Sequence, residues 1–264
     1  MITNKINLIP TGTKRRSGIK NLGIKFLVAH DTGNPNTTAG QNVNYYINSA
    51  NEASASAHVF VDDKEIIWCI PENEKAWHVW YSTTIDNKRF NADSNDSAIG
   101  VELCYFPQDI AKTRLAYENY TDLLASLCDK YKLDPLVHIP GHNDLDPARK
   151  TDPMNAFRVI GKTMIQFRTD VRAKLKSGIP SPIKPKLITL QFGQTGVAVG
   201  LVQDILNKNG YLVSPFTGGV YNEAMAQAIL LFQIRNKVAT EAEISKLRGE
   251  VTGPKTIAAL TLIQ

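Results

Sequence analysis

A proline-rich segment about two thirds of the way along the chain most limits what this sequence can fold into. Residues 177–186 read SGIPSPIKPK, with three prolines in ten residues. Each proline fixes φ and removes a backbone N–H donor, so the segment disfavours both helix and sheet. We therefore predict two folding units, residues 1–176 and 189–264, joined by a semi-extended linker over 177–188.

The first unit carries patterns of both strands and helices. Continuous or alternating apolar runs predict strands, with a hairpin turn at Asp62-Asp63-Lys64. The predicted strands are 24–29 (IKFLVA), 57–61 (AHVFV), 65–70 (EIIWCI) and 99–105 (IGVELCY). Helical spacing predicts a helix over 114–131 and a second long helix over 155–175. The fold class expected is α/β, a mixed central sheet flanked by helices.

The second unit reads as a small three-helix domain. Apolar residues recur at helical spacing in residues 197–209, 221–235 and 254–260. Gly210 is suited to end the first of these helices, and Pro254 to begin the third. No cysteine or histidine is present in this unit to supplement its small core with a disulfide or a metal.

Composition excludes several classes of protein. The formal net charge of +5 is too small and diffuse for a nucleic-acid-binding protein, although it suits a polyanionic partner. Three cysteines, an odd number without a CxxC pair, indicate buried thiols. No apolar stretch of membrane-spanning length is present, and no apolar run of signal-peptide length follows the basic amino terminus. We expect a monomer that is made in a cytoplasm and is not inserted into a membrane.

Candidate metal ligands lie in the first unit, which contains all five histidines. His30 ends an apolar run, and strand ends are common ligand positions, although a satisfied strand-end histidine would look the same. His142, Lys150 and Asp152 share the loop-like segment PGHNDLDPARKTDP, residues 140–153. Two imidazoles and one carboxylate are a usual ligand set for catalytic Zn²⁺, provided that the loop folds back. The alternative is a polar surface loop.

Glu102 is a candidate for acid–base chemistry because it lies among apolar residues in IGVELC. Burial of a carboxylate without a partner raises its pKa and costs free energy, which a metal-bound water or a lysine would relieve. A solvent-facing glutamate on an edge strand is the alternative.

Five motifs together resemble those of the type-2 N-acetylmuramoyl-L-alanine amidases, a family that includes phage lysins and relatives of the peptidoglycan recognition proteins. They are VAHDTG, SAHVFVD, AWHV, IGVELC and PGHNDLDPARKTDP, and they follow one another in the family's order over about residues 20–170. The resemblance implies zinc-dependent cleavage of bacterial peptidoglycan by a lysin that reaches the cell wall after release.

The resemblance also implies roles for single residues. His30, His142 and Asp152 match the zinc ligands, with a carboxylate where some members have a cysteine. Glu102 and Lys150 match the catalytic glutamate and the catalytic lysine.

The remaining histidines are interpreted separately. His78, in AWHV, is expected to lie in the cleft and bind substrate. His58 is expected to be structural, and His138 matches no functional position.

The second unit is similar to the small helical peptidoglycan-binding domain over about residues 189–264. The segments that carry this similarity are GVAVGLVQDILNKNGY, AQAILLFQ and VTGPKTIAAL. Arg248-Gly249-Glu250 stands where the usual motif has DG before VTGP, and residues 236–248 form an altered connection.

Two rival functions would each account for part of these motifs. A non-catalytic peptidoglycan-recognition protein would share the fold, but such proteins typically lack the third metal ligand, and here Asp152 and Lys150 are both present. A muramidase would use two carboxylates, of which Glu102 could be one, but it would leave the histidine motifs unexplained.

Overall fold

The computed structural model describes residues 2–175, 189–194, 197–211 and 220–262. The chain divides into two compact units, Met1–Gly178 and Ile179–Gln264. The predicted linker over 177–188 lies outside the described residues. Within the described residues, no helix combines the length and the apolar character needed to cross a membrane.

The first unit is built on a mixed sheet, as predicted. Its strands are β1 (Thr3–Ile6), β2 (Phe26–Asp31), β3 (Val59–Val61), β4 (Glu65–Trp68) and β5 (Ala98–Leu103). Within residues 2–175 they form one five-stranded sheet in the order β1-β4-β3-β5-β2. The β3–β4 hairpin is antiparallel and the other neighbours are parallel. Helices flank this sheet, which agrees with the α/β fold class expected.

The helices of this unit surround the sheet. They are α1 (Ala39–Asn48), α2 (Ile85–Phe90), α3 (Ser94–Ser97), α4 (Ile110–Tyr131), α5 (Pro135–His138), α6 (His142–Leu145), α7 (Met154–Ile160) and α8 (Met164–Ala173). The longest, α4, begins where the Asp109 side chain accepts a hydrogen bond from the Lys112 N–H. Buried Tyr120 of α4 donates its hydroxyl to the backbone oxygens of His30 and Val101, at 3.2 and 3.1 Å, which fixes α4 against β2 and β5.

Strand β2 is buried along its whole length even though it lies at the end of the strand order. Its outer edge is covered by the segment before α6, since the Ala29 N–H donates to the Pro140 carbonyl at 2.9 Å and Ala29 forms a parallel bridge with Gly141. This pairing satisfies backbone groups that a bare edge would leave open. It also brings His142 next to the strand that carries His30.

The single long helix predicted over 155–175 was wrong. The chain forms two helices there, α7 and α8, because Gly161 adopts φ 71°, a left-handed conformation that ends a helix. Thr163 then starts α8 with a capping box, in which its side chain and that of Gln166 each bond to the other's backbone N–H. The apolar periodicity continues across the break, so the pattern alone did not reveal it.

Strand β1 was not predicted. Its sequence, TNKI, is exposed throughout and has no clear apolar alternation. It joins the sheet through backbone pairing with β4, from Thr3 opposite Glu65 to Ile6 opposite Trp68. A strand of this kind is specified by its neighbour rather than by its own side chains.

The described residues of the second unit form four helices and a pair of short strands, whereas the sequence predicted three helices and no strand. Its described elements are β6 (Leu190–Gln191), α9 (Val197–Lys208), α10 (Glu223–Arg235), α11 (Glu241–Leu247), β7 (Val251–Thr252) and α12 (Pro254–Leu262). The altered connection over 236–248 holds α11, which begins with a capping box between Thr240 and Glu243. Gly249 follows at φ 81°, where a Cβ atom would lie 2.0 Å from the Ala226 carbonyl oxygen. The hydrophobic core of the second unit consists mainly of buried residues from α9 and α10, with Tyr221 and Leu260.

The aromatic cluster beneath the sheet allows a direct test of core stability. Phe157 is fully buried, and its ring centroid lies 5.8 Å from that of Tyr117 and 4.9 Å from that of Phe167. Phe157→Ala should lower the free energy of unfolding of the first unit by about 3–5 kcal/mol, because it removes buried apolar area and leaves a cavity. Urea unfolding monitored by near-UV circular dichroism measures the change. Leu115→Ala, at a residue of α4 that is 58% exposed, is the control and should stay within about 0.5 kcal/mol.

Candidate active site

A cleft of about 1040 Å³ in the first unit contains the residues that the motifs singled out. His30, His78, Glu102, His142, Lys150 and Asp152 all line it. They come from strands, loops and short helices far apart in sequence. The cleft is large enough for a substrate, and its polar groups converge in one place, as binding sites typically require.

The three predicted metal ligands meet within this cleft. His30 Nδ1 lies 2.9 Å from Asp152 Oδ2, and His142 Nδ1 lies 3.0 Å from the same oxygen. One donor atom from each of the three residues lies within 4.8 Å of the other two. The segment between His142 and Asp152 therefore folds back, as a shared site requires.

Backbone and side-chain contacts hold this segment in place. The Asn143 N–H donates to the Asp152 carbonyl at 2.9 Å, which closes the loop between the two candidate ligands, His142 and Asp152. Asp31, directly after His30, accepts hydrogen bonds from Asn155 Nδ2 at 3.0 Å and from the Ala156 N–H at 3.1 Å. The end of β2 and the start of α7 are thus tied together by a buried carboxylate.

The charges in the cluster favour the protonation states that bind a metal. Burial lowers the pKa of His30 to about 4, although its hydrogen bond with Asp152 opposes this. Burial by itself would raise the pKa of Asp152, but its hydrogen bonds with His142 and His30 outweigh burial and hold that pKa well below its usual range. A neutral imidazole on His30 and an ionised carboxylate on Asp152 are the forms that coordinate metal ions.

The donor set and its spacing fit a zinc ion. Imidazole nitrogen and carboxylate oxygen bind Zn²⁺ at about 2.0–2.2 Å, which places tetrahedral donors roughly 3.3 Å apart. The two nitrogen–oxygen distances of 2.9 and 3.0 Å are within a few tenths of an ångström of that spacing. His142 Nε2 and Glu102 Oε2 are buried and have no hydrogen-bond partner among the described residues. A buried carboxylate oxygen without a partner is costly, so the unpaired Glu102 Oε2 in this cleft fits a further group bound beside the three candidate ligands.

Glu102 faces the same part of the cleft as His30. The two residues are register partners on the parallel strands β2 and β5, so their side chains point to the same face of the sheet. The residue as a whole is half-buried, but its Oε2 atom is inaccessible to solvent. Burial, and then the negative charges of Asp152 and Asp31, raise the pKa of Glu102 well above its usual range, while Lys150 opposes the shift. Such a carboxylate is suited to accept and return a proton.

Lys150 lies on the loop that carries Asp152. It is half-buried and lines the cleft, and its backbone N–H donates to the Asp146 carbonyl at 2.9 Å. Its positive charge lowers the pKa of both His30 and Glu102, which places the ammonium group within electrostatic reach of the cluster.

The other three histidines differ in their surroundings. His78 is only 7% exposed, and its Nδ1 lies 3.1 Å from His30 Nε2. His58 is fully buried, where its Nδ1 accepts from the Gly100 N–H and its Nε2 donates to the Glu74 carbonyl, a geometry that agrees with a structural role. His138 is half-buried at the end of α5 and is absent from the residues that line the cleft.

Several residues that line the cleft were missed by the sequence reasoning. Trp80 and Tyr81 are large aromatic residues, 55% and 49% exposed, directly after the AWHV motif. The Arg149 guanidinium lies 3.9 Å from the Trp80 ring centroid and pairs with Asp146. Tyr46 of α1 lines the cleft as well. Arg149 lies in the segment PGHNDLDPARKTDP, where only His142, Lys150 and Asp152 were predicted to be functional. Tyr46 belongs to none of the five motifs, so no local pattern indicated it.

Solved structures of related folds resemble the first unit. The catalytic domain of XlyA is 24% identical and superposes with a TM-score of 0.51, over 64% of this chain and 99% of that chain. PlyL is 26% identical with a TM-score of 0.51, over 66% of this chain and 98% of that chain. Both comparisons agree with a mixed sheet flanked by helices.

Two amidases from Bacillus species are similar to this chain in sequence. The N-acetylmuramoyl-L-alanine amidase BlyA of Bacillus subtilis (strain 168) is 31% identical over 188 residues, covering 67% of this chain and 50% of BlyA. The N-acetylmuramoyl-L-alanine amidase CwlL of Bacillus licheniformis is 26% identical over 267 residues, covering 97% of this chain and 71% of CwlL. The chain therefore spans about half the length of one relative and less than three quarters of the other.

The family model described as N-acetylmuramoyl-L-alanine amidase matches residues 20–155, which is more than half of the chain and includes most of the cleft described above. By this match, the protein belongs to the N-acetylmuramoyl-L-alanine amidase family.

Proposed function

We propose that the protein is a zinc-dependent lysin that hydrolyses the amide bond between N-acetylmuramic acid and L-alanine in bacterial peptidoglycan. The observation that carries this proposal is the convergence of His30, His142 and Asp152 in one cleft, with Glu102 beside them. Family membership supplies the substrate class, and the ligand set supports zinc.

Each residue of the cleft has a distinct part in the proposed mechanism. His30, His142 and Asp152 hold the zinc, which would activate a water molecule and polarise the scissile carbonyl when bound. Glu102 accepts the proton of the attacking water at its buried carboxylate and returns one to the leaving amine of L-alanine. Lys150 stabilises the negative charge that develops on the carbonyl oxygen. No nucleophilic side chain and no covalent intermediate are needed.

A non-catalytic peptidoglycan-binding protein is the alternative. It would use the same cleft without a hydrolytic step. The proposal of an enzyme is supported by the complete set of three candidate ligands, together with a glutamate and a lysine in the same cleft.

Digestion of purified sacculi tests the enzyme against both rivals. An amidase releases new free amino groups and no new reducing sugars, because it cuts between sugar and peptide. A muramidase would release reducing sugars, and a binding protein would release neither. Metal analysis of the same preparation should find about one zinc ion per chain.

We further propose that the second unit binds the bacterial wall. The alignment with CwlL covers 97% of this chain and so includes this unit, and the helical motifs resemble a peptidoglycan-binding domain. A wall-binding unit would hold the catalytic unit near an insoluble substrate and raise its effective concentration there.

Separating the two units tests this division of labour. Residues 1–176 alone should fold, bind zinc and cleave small soluble muropeptides at the rate of the full chain. On intact walls the truncated protein should be slower, because it lacks the tether.

Residues 187–264 alone should sediment with walls without cutting them. Turbidity loss of wall suspensions and amine release from soluble fragments provide the two measurements. If the truncated protein were equally fast on walls, and the second unit did not sediment with them, wall binding would have to be abandoned.

A further inference from the structure

Resting on the proposed zinc site, we propose that His78 is a positioning residue for the metal ligand His30 rather than a residue that contacts substrate. It accepts a hydrogen bond at Nδ1 from the ring nitrogen of His30 that faces away from the metal. This bond fixes both the orientation and the tautomer of the His30 ring. The sequence predicted that His78, the histidine of the AWHV motif, binds substrate, whereas this geometry gives it the role of orienting His30.

The geometry of the two rings supports this assignment. His30 Nδ1 points to Asp152 Oδ2 at 2.9 Å, while its Nε2 points to His78 Nδ1 at 3.1 Å. The rings are nearly perpendicular, with an interplanar angle of 86°. One ring nitrogen of His30 therefore faces the proposed zinc site, and the other forms a hydrogen bond with His78.

The direction of the hydrogen bond follows from the chemistry of a bound metal. An imidazole that ligates through Nδ1 carries no proton there, so its one proton lies on Nε2. His30 Nε2–H must then donate, and His78 Nδ1 must accept. Metal-ligating histidines generally donate their second N–H to a carboxylate, a carbonyl or water. Here a neutral imidazole occupies that position.

His78 is held too firmly to be an adaptable substrate contact. Asn95 Oδ1 accepts hydrogen bonds from the backbone N–H groups of His78 and Val79, at 2.8 and 3.0 Å. The His78 ring packs on Gly100, where an added Cβ atom would lie 2.7 Å from His78 Cγ. Its Nε2 atom is buried and has no hydrogen-bond partner among the described residues. His78 thus lies on the side of the His30 ring that faces away from Asp152, and contacts with Asn95 and Gly100 fix its position.

Two substitutions separate a positioning role from simple packing. His78→Leu introduces an apolar side chain of similar size and so removes the acceptor, while His78→Asn places an oxygen near the former Nδ1 position. Loss of a partner of this kind typically weakens metal binding by about 10–100-fold. We expect a loss of that size for His78→Leu and a large recovery for His78→Asn. Chelator competition measures the zinc affinity, with Tyr81→Phe, which alters another residue lining the cleft, as the matched control.

The tautomer of His78 in the wild-type protein gives a test that needs no variant. In the zinc-loaded protein, two-bond ¹H–¹⁵N correlation spectra should find His30 protonated on Nε2 and His78 neutral, with its proton on Nε2. A proton on His78 Nδ1 would overturn the proposal, because that nitrogen could not accept from His30. This measurement decides the matter even if His78→Leu fails to fold.

The outcomes also separate this inference from the proposed function. If wild-type protein binds no zinc, the proposed metal site fails, and this inference fails with it. If wild-type protein binds zinc and cleaves sacculi while His78→Leu folds and binds zinc equally well, only the positioning role is overturned. Equal weakening by His78→Leu and His78→Asn would likewise contradict it, since the acceptor would then not matter.

Discussion

Replacing His142 by alanine should remove zinc from the protein and abolish the release of free amino groups from sacculi. Structural zinc sites with four ligands contribute roughly 10–16 kcal/mol, so one ligand corresponds to about 2.5–4 kcal/mol, or about 10²–10³-fold in affinity. His30→Ala and Asp152→Ala should act in the same direction. Asp152→Ala should have the largest effect on the cluster, because both imidazoles hydrogen-bond to its carboxylate. Zinc content after dialysis and the rate of amine release measure the two losses.

His138→Ala is the matched control for this series. It removes a histidine of the same unit, four residues before His142, that does not line the cleft. Its zinc content and activity should equal those of the wild type. Full zinc and full activity in a folded Asp152→Ala variant would show that the ligand set is wrong.

Replacing Glu102 by glutamine should lower kcat by about 10²–10⁴-fold while leaving zinc bound. Glutamine keeps the shape of the side chain and removes its ability to accept a proton. Because Glu102 lies in register with His30 without being one of the three clustered ligands, the metal should stay in place. Steady-state rates on a soluble muropeptide, together with zinc analysis of the same sample, separate a chemical defect from loss of the metal.

Glu118→Gln provides the control, since that glutamate lies on α4 with a side chain that is 60% exposed. It should leave both kcat and zinc content unchanged. Unaltered turnover by a folded, zinc-loaded Glu102→Gln variant would remove Glu102 from the mechanism. Glu102→Asp should be intermediate, because it keeps the carboxylate but withdraws it by one methylene group.

Local patterns predicted the features that depend on neighbouring residues. The apolar runs around Val28 and Val101 indicated buried strands, and both strands are present as β2 and β5. Leucines at helical spacing indicated α4, although that helix begins at Ile110, four residues before its predicted start. The break at Gly161 was missed, because apolar periodicity persists through a left-handed residue.

The residues of the candidate site were named from their motifs, but their arrangement could not be derived from spacing. His30 and Glu102 are 72 residues apart, and only the pairing of β2 with β5 makes them register partners. His142 reaches His30 because Pro140 and Gly141 cover the outer edge of β2. Parallel pairing and edge covering are long-range contacts, which no periodicity along the chain records.

The sequence by itself determined which side chains are available for chemistry and where the most strongly patterned elements, β2, β5 and α4, lie, because these depend on residue type and local spacing. Tertiary structure alone decided which ring nitrogen of His30 faces Asp152 and which faces His78. It also decided that Glu102 has a buried carboxylate oxygen without a partner among the described residues. The physical reason is that hydrogen-bond direction and desolvation depend on atoms brought together from distant parts of the chain, and those atoms meet only when the sheet and its covering loops have formed.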